Sequence, residues 1–209
     1  MKLIKLLGIT SLVLLALGAL TATAASAHAW ENKKAPITEP HNVIGTATLS
    51  FEDKWRADKF TCKITSKATV KPGAIGEITG IASKTGAKEI PCEAHESPGC
   101  STVTIEAKFL PWKTELATIG GELRDTIKPA GEFLTPQWTV RCTGTEGKIT
   151  ETCEASPNTA LKNYSAGVEA IYDAKSPATN CSAGPAGTFT TKGTEDITFA
   201  NGETGLGVS

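Results

Sequence analysis

The sequence predicts an all-β fold: a single-domain antiparallel sandwich or barrel stabilised by disulfides. Three observations carry this. Short runs of alternating polar and apolar residues recur along the chain, separated by Gly, Pro and Asn. No long stretch shows a helical period. Six cysteines stand behind an N-terminal export signal, so disulfides are the default reading.

The elements follow in chain order. Residues 1–27 read as a signal peptide, with a basic start at Lys2 and Lys5, an apolar run from Leu6 to Leu20, then small residues. Both Ala25-Ser26-Ala27 and Ala27-His28-Ala29 fit the cleavage rule, so the secreted all-β domain spans 28–209 or starts at Trp30. The apolar run is too short for a full membrane span, and no transmembrane span is expected in the mature chain. Strand candidates are 44–51, 59–70, 76–83 after a Pro72-Gly73 turn, and 101–110, where Val103, Ile105, Ala107 and Phe109 share a face. Gly120-Gly121 predicts a tight hairpin between 113–119 and 122–127. Further candidates are 136–142, 148–153, 167–174, 187–193 and 195–200; a short helical piece is expected near 158–164.

The cysteines can be placed on this map. With Gly147-Lys148 as a two-residue loop, Cys142 falls opposite Cys153, within reach of a bridge. Cys92 and Cys100 bracket a loop with Pro98-Gly99 turn chemistry and form the next pair. Cys62 and Cys181 pair by elimination. No C-x-x-C occurs, so neither a thioredoxin-like redox site nor a zinc knuckle is indicated.

Charge and motifs exclude several functions. Without Lys2 and Lys5 the chain carries 19 basic and 22 acidic side chains, a net charge of −3, which is no footprint for nucleic acid. A Gly-x-Ser-x-Gly elbow and a phosphate-binding loop are both missing. His95 lies between two cysteines expected to be bridged, which leaves no thiolate for it to activate.

Three constellations could carry chemistry. A mature N-terminal His28 could chelate copper through its amine and imidazole, with His95 or His41 as second ligand, because nitrogen donors suit Cu(II). In this respect the chain resembles lytic polysaccharide monooxygenases, secreted β-sandwiches that open with His; the resemblance covers residue 28, the export signal and the fold class. Glu115, Glu122 and Asp125 lie close in sequence, and a glycosidase would need two such carboxyls opposed across a cleft; on a tight hairpin they read as a solvated face, with Glu115 and Arg124 as cross-strand partners. Trp112 follows the strand-breaking Pro111, which places it at a bend, where it reads first as a packed plug and alternatively as an exposed ring that could stack on a ligand. Trp138 shares a face with Val140 and Cys142 and reads as core.

The block FLPWKTELATIGGELRDTI (109–127), with VRCTG and GVEAIYDAKS after it, resembles a group of uncharacterised secreted bacterial β-rich proteins. The resemblance implies export and β architecture and assigns no activity, cofactor or catalytic residue. The expectation is a secreted, non-enzymatic binding or structural protein of the cell envelope or exterior, without a cofactor, whose partner is a glycan or an extracellular protein. The alternatives are a copper-binding protein or monooxygenase-like enzyme using His28, and a carboxylate glycosidase.

Overall fold

The computed structural model describes residues 28–53, 58–82, 84–85, 88–89, 92–95, 101–128, 136–144, 147–154, 158–173, 182 and 189–209. The expected signal peptide (1–27), Cys100 and Cys181 lie outside the described residues. The strands, in chain order, are β1 (Trp30–Asn32), β2 (Ala35–Pro36), β3 (His41–Asp53), β4 (Asp58–Val70), β5 (Ile75–Ala82), β6 (Lys84–Thr85), β7 (Lys88–Glu89), β8 (Glu93–Ala94) and β9 (Thr102–Lys108). They continue as β10 (Trp112–Ile119), β11 (Glu122–Lys128), β12 (Gln137–Gly144), β13 (Gly147–Glu154), β14 (Asn158–Asn163), β15 (Val168–Tyr172), β16 (Phe189–Phe199) and β17 (Leu206–Val208). Among the described residues no helix is long and apolar enough to cross a membrane.

Eight strands form a closed antiparallel barrel, which resolves the sandwich-or-barrel choice. The ring runs β3, β4, β5, β10, β11, β14, β15, β16 and back to β3. Barrel neighbours are therefore also successive in the chain, apart from two excursions. One carries β6–β9 between β5 and β10; the other carries β12 and β13 between β11 and β14. The excursion strands join up, with β9 on the end of β5 at Ala82–Glu106, β12 on β9, and β13 on β12. Closure removes the unpaired edges that an open sheet of this size exposes.

Directly opposed residues share a face, so the register names the barrel interior. Around one level, Glu195 stands opposite Ala47, Gly45 opposite Ser66, Gly76 opposite Thr114, Leu116 opposite Asp125, and Ala170 opposite Glu195. One end is apolar and closed. There Val43, Val70, Leu116, Val168 and Phe199 pack with Trp30 and Ile37, and with Leu206 and Val208 of the small sheet β17-β1-β2. At the other end Leu49, Phe51, Phe60, Cys62 and Ile64 pack against Cys92, Val103, Ile105 and Val140, which the excursions supply.

Several expectations are corrected. Cys62 bonds Cys92, so neither Cys62–Cys181 nor Cys92–Cys100 forms. The reason is an unforeseen pairing: β8 adds to β4 at Phe60 and Thr61, which brings the Cys92 segment over Cys62. Cys142 is also disulfide-bonded, but the β12–β13 register excludes Cys153 as its partner. Gly144 opposes Gly147, so the register differs from the expected one and Cys142 stands opposite Ile149. Cys153 then lies four residues away from that point, about 13 Å along a strand and well beyond disulfide reach. Residues 158–163 form strand β14 rather than a helix, because pairing with β11 and β15 overrides local propensity. The candidates 187–193 and 195–200 are one continuous strand, β16. The Gly120-Gly121 hairpin forms as expected, with Ile119 opposite Glu122 and both glycines at positive φ (62° and 82°), as a type I′ turn requires.

Candidate ligand-binding site

The barrel interior is incompletely filled. A cavity of about 90 Å3 lies inside it, lined in part by Trp30, Trp112, Trp138, Ile127, Tyr172, Asp125 and Glu195. At roughly 10–15 Å3 per water, it has room for about half a dozen waters or a small organic molecule. Eight strands give a lumen that side chains can just fill or that can hold one small ligand. Here small residues leave it open: Gly45 and Gly76 face inward from β3 and β5, with Ala68 and Ala170 beside them.

Both glycines are required by what faces them. A Cβ on Gly45 would collide with the Glu195 carboxylate and the Ser66 hydroxyl, and one on Gly76 with the Thr114 hydroxyl. Small backbone on one side thus accommodates polar side chains from the other.

Those side chains form a buried polar layer. Glu195, 5% exposed, accepts from the Tyr172 hydroxyl at 2.6 Å and from the Ser66 hydroxyl. Burial and the adjacent Glu195 carboxylate push the Tyr172 phenol well above its ordinary range. Asp125 takes a hydrogen bond from Thr114, while its Oδ1 is sealed from solvent with no donor. Burial raises its pKa to about 7 against the Thr114 bond, and the Glu195 charge adds to the rise. A second orphan, the Trp30 Nε1 donor, lies at the apolar end of the same cavity.

The aromatic wall is a T-shaped pair, Trp112 and Trp138, with ring centroids 5.2 Å apart at 81°. Trp112 is fully buried, as the packed-plug reading expects and the exposed one does not, because its strand β10 starts immediately and points the ring inward. Its indole N–H donates to the Lys108 carbonyl at 2.8 Å, so the polar edge is satisfied and the faces are left for packing.

The remaining candidates lie elsewhere. The His28 ring nitrogens meet the Ser209 carbonyl at 3.1 Å and the Thr118 hydroxyl at 2.7 Å, at the closed end. His95 lies beyond the far end of β4, where its backbone N–H bonds Lys59 and its ring meets Thr61. The closed end adjoins Val70, since Trp30 bonds Gly73; Lys59 and Val70 are about 35 Å apart along β4. The structure therefore does not bring His28 and His95 together. His41 packs against Phe199, with ring centroids 5.2 Å apart and the planes tilted by 54°.

The three hairpin carboxylates also diverge. Glu115 is exposed and pairs with Lys128 at 3.5 Å, not with Arg124. Glu122 lies outside the barrel on Arg124. Only Asp125 faces inward. Arg124, 4% exposed at its side chain, donates to Glu122 at 2.7 Å, Asp173 at 3.0 Å and Asn158 at 2.8 Å. The bond to Asp173, then that to Glu122, raises its pKa further. The solvated face expected for Asp125 is thus replaced by burial, because it alternates with Leu123 and Ile127. Glu195 is the residue that the sequence reading missed. Its signal was available: it occupies the face of Thr191, Gly193, Ile197 and Phe199.

No known protein family, curated protein or solved structure matches this chain.

Proposed function

We propose that this chain is an exported, non-enzymatic binding protein that carries one small molecule inside its barrel. The cavity among Trp112, Trp138, Tyr172, Asp125 and Glu195 is the observation that supports it. A buried carboxylate oxygen without a donor costs about 1–3 kcal/mol, and an occupant that supplies the donor recovers it. The size of the lumen favours a small ligand over the glycan chain or protein partner expected from sequence. The disulfides are compatible with an oxidising compartment, and with kinship to the secreted bacterial group that the 109–127 block resembles. Cleavage before His28 fits best, because Ala29 pairs with Ser209 in both directions at 3.1 and 3.0 Å; a cut before Trp30 removes both bonds.

The test is a thermal-shift and tryptophan-fluorescence screen of small organic molecules against the exported protein. Ala68→Leu serves as the blocked control, since Ala68 lines the lumen and the added carbons occupy it. Ligands that stabilise the wild type and not Ala68→Leu support the reading. Equal responses from both proteins place binding outside the lumen and overturn it.

A further inference from the structure

The polar layer of the barrel contains acids without a basic counterpart. Among the described residues, no Lys or Arg takes an inward position on any of the eight barrel strands. Asp125 enters from β11, Tyr172 from β15 and Glu195 from β16; the inward groups of β4, β5, β10 and β14 at this level are uncharged, namely Ser66, Gly76, Thr114 and Thr159. Arg124 is turned away, its guanidinium held by Glu122, Asp173 and Asn158. An anionic ligand would meet two carboxylates and no cation.

What the layer lacks is a donor. Glu195 is served by Ser66 and Tyr172, whereas Asp125 has Thr114 alone and its Oδ1 is unpaired. Aromatic faces attract cations within about 6 Å, and Trp112, Trp138 and Tyr172 share the cavity with the carboxylates. The rest of the wall is apolar, including Ile78, Ile127 and Leu161. A metal ion would find too few oxygens there, and no group of three or more His, Cys, Asp or Glu residues gathers among the described residues.

Building on the reading of the lumen as a ligand site, we propose that its occupant is a small organic ammonium ion. Its N–H groups meet the Asp125 carboxylate, the charges of Asp125 and Glu195 attract it, and its hydrocarbon part lies against Trp112, Trp138 and Ile127. The cavity limits it to about half a dozen non-hydrogen atoms.

Isothermal titration of the exported protein with n-butylammonium, n-butanol and n-butyrate tests this, at about pH 8 where Asp125 is ionised. The protein is first unfolded and refolded to release any occupant. The three probes match in length and differ in charge. The expected result is that butylammonium binds at least about tenfold more tightly than butanol, with butyrate weakest, as a charge-assisted hydrogen bond implies. Asp125→Asn, nearly isosteric, should reduce ammonium binding about tenfold or more and leave butanol nearly unchanged. Glu195→Gln should weaken the ammonium selectively too, and far-UV circular dichroism confirms that both variants fold. If butanol or butyrate binds as well as butylammonium to the wild type, the cation assignment is overturned while the lumen remains a ligand site. If none of the probes binds, both readings fail.

Discussion

Asp125→Asn is the sharpest probe of the barrel interior, because it removes a buried charge without changing shape. The Asp125 pKa rises from 3.8 to about 7 on folding. The native state therefore holds a proton that the unfolded chain has lost between those values. By linkage, the Asp125 contribution to stability is greatest below about pH 4, falls as pH rises toward 7, and levels off above it. A shift of this size corresponds to about 4 kcal/mol at most. The carboxylate borders a cavity with room for water, so about 2–4 kcal/mol is expected. Asn does not titrate and is as well accommodated as the protonated acid. Urea unfolding of wild type and variant at about pH 5 and pH 8 gives the difference, in which other titrating groups cancel. The variant should gain on the wild type by most of that amount between the two pH values. A stability difference that does not change with pH would refute the enclosed, charge-disfavouring interior.

Other perturbations read other parts of the structure. Gly45→Ala pushes a methyl into the Glu195–Ser66 contact and should cost about 1–3 kcal/mol in chemical denaturation, with loss of lumen binding; unchanged stability would mean that the polar layer is not packed as described. Arg124→Met removes the buried guanidinium that bridges Asp173, Glu122 and Asn158 and should destabilise by about 1–3 kcal/mol, whereas a loss below about 0.5 kcal/mol would show the guanidinium to be solvated. Replacing Cys62 and Cys92 by Ala opens a loop of sequence separation 30 and should cost about 3–4 kcal/mol on the chain-entropy estimate, read from unfolding midpoints. Peptide mapping should recover Cys62 linked to Cys92. It should also link Cys100 to Cys142 and Cys153 to Cys181, since Ser101 bonds Thr143 and Ser182 bonds Thr152 through both its backbone and its hydroxyl. A Cys142–Cys153 peptide would contradict the β12–β13 register.

Much of the barrel was legible because period-two alternation is a local signal. The strands at 59–70, 76–83 and 113–127 were readable from their own residues, and the two glycines at 120–121 announced their turn. What governed the rest was long-range. Closure depends on β16 pairing with β3, and no residue near Phe199 states that its partner is Val43. The disulfides were misassigned for the same reason. Local turn chemistry paired Cys92 with Cys100 and left Cys62 to Cys181 by elimination, while the pairing of β8 with β4 decided which sulfurs met. Cys142 shows how sensitive register is: with Gly144 opposite Gly147 it stands opposite Ile149 and apart from Cys153.

The site was half legible. Asp125 was marked as a candidate carboxylate, but its place beside a tight hairpin suggested solvent. Its position between Leu123 and Ile127 was the stronger signal, and the barrel made that face the interior. Glu195 carried the same signal between Gly193 and Ile197. An acid at an apolar register position is thus a readable mark of a polar interior, but only once closure is known does it become a wall of a cavity. The His28 reading rested on chemistry at the N-terminus alone, and position in the fold separated it from His95.

The most direct measurement of the central claim is the mass of the exported protein under native and denaturing conditions. The account predicts a native species heavier than the chain by one small molecule, lost on denaturation and missing from Ala68→Leu. A wild-type native mass equal to that of the bare chain, in a protein whose tryptophan fluorescence no small molecule perturbs, would contradict it.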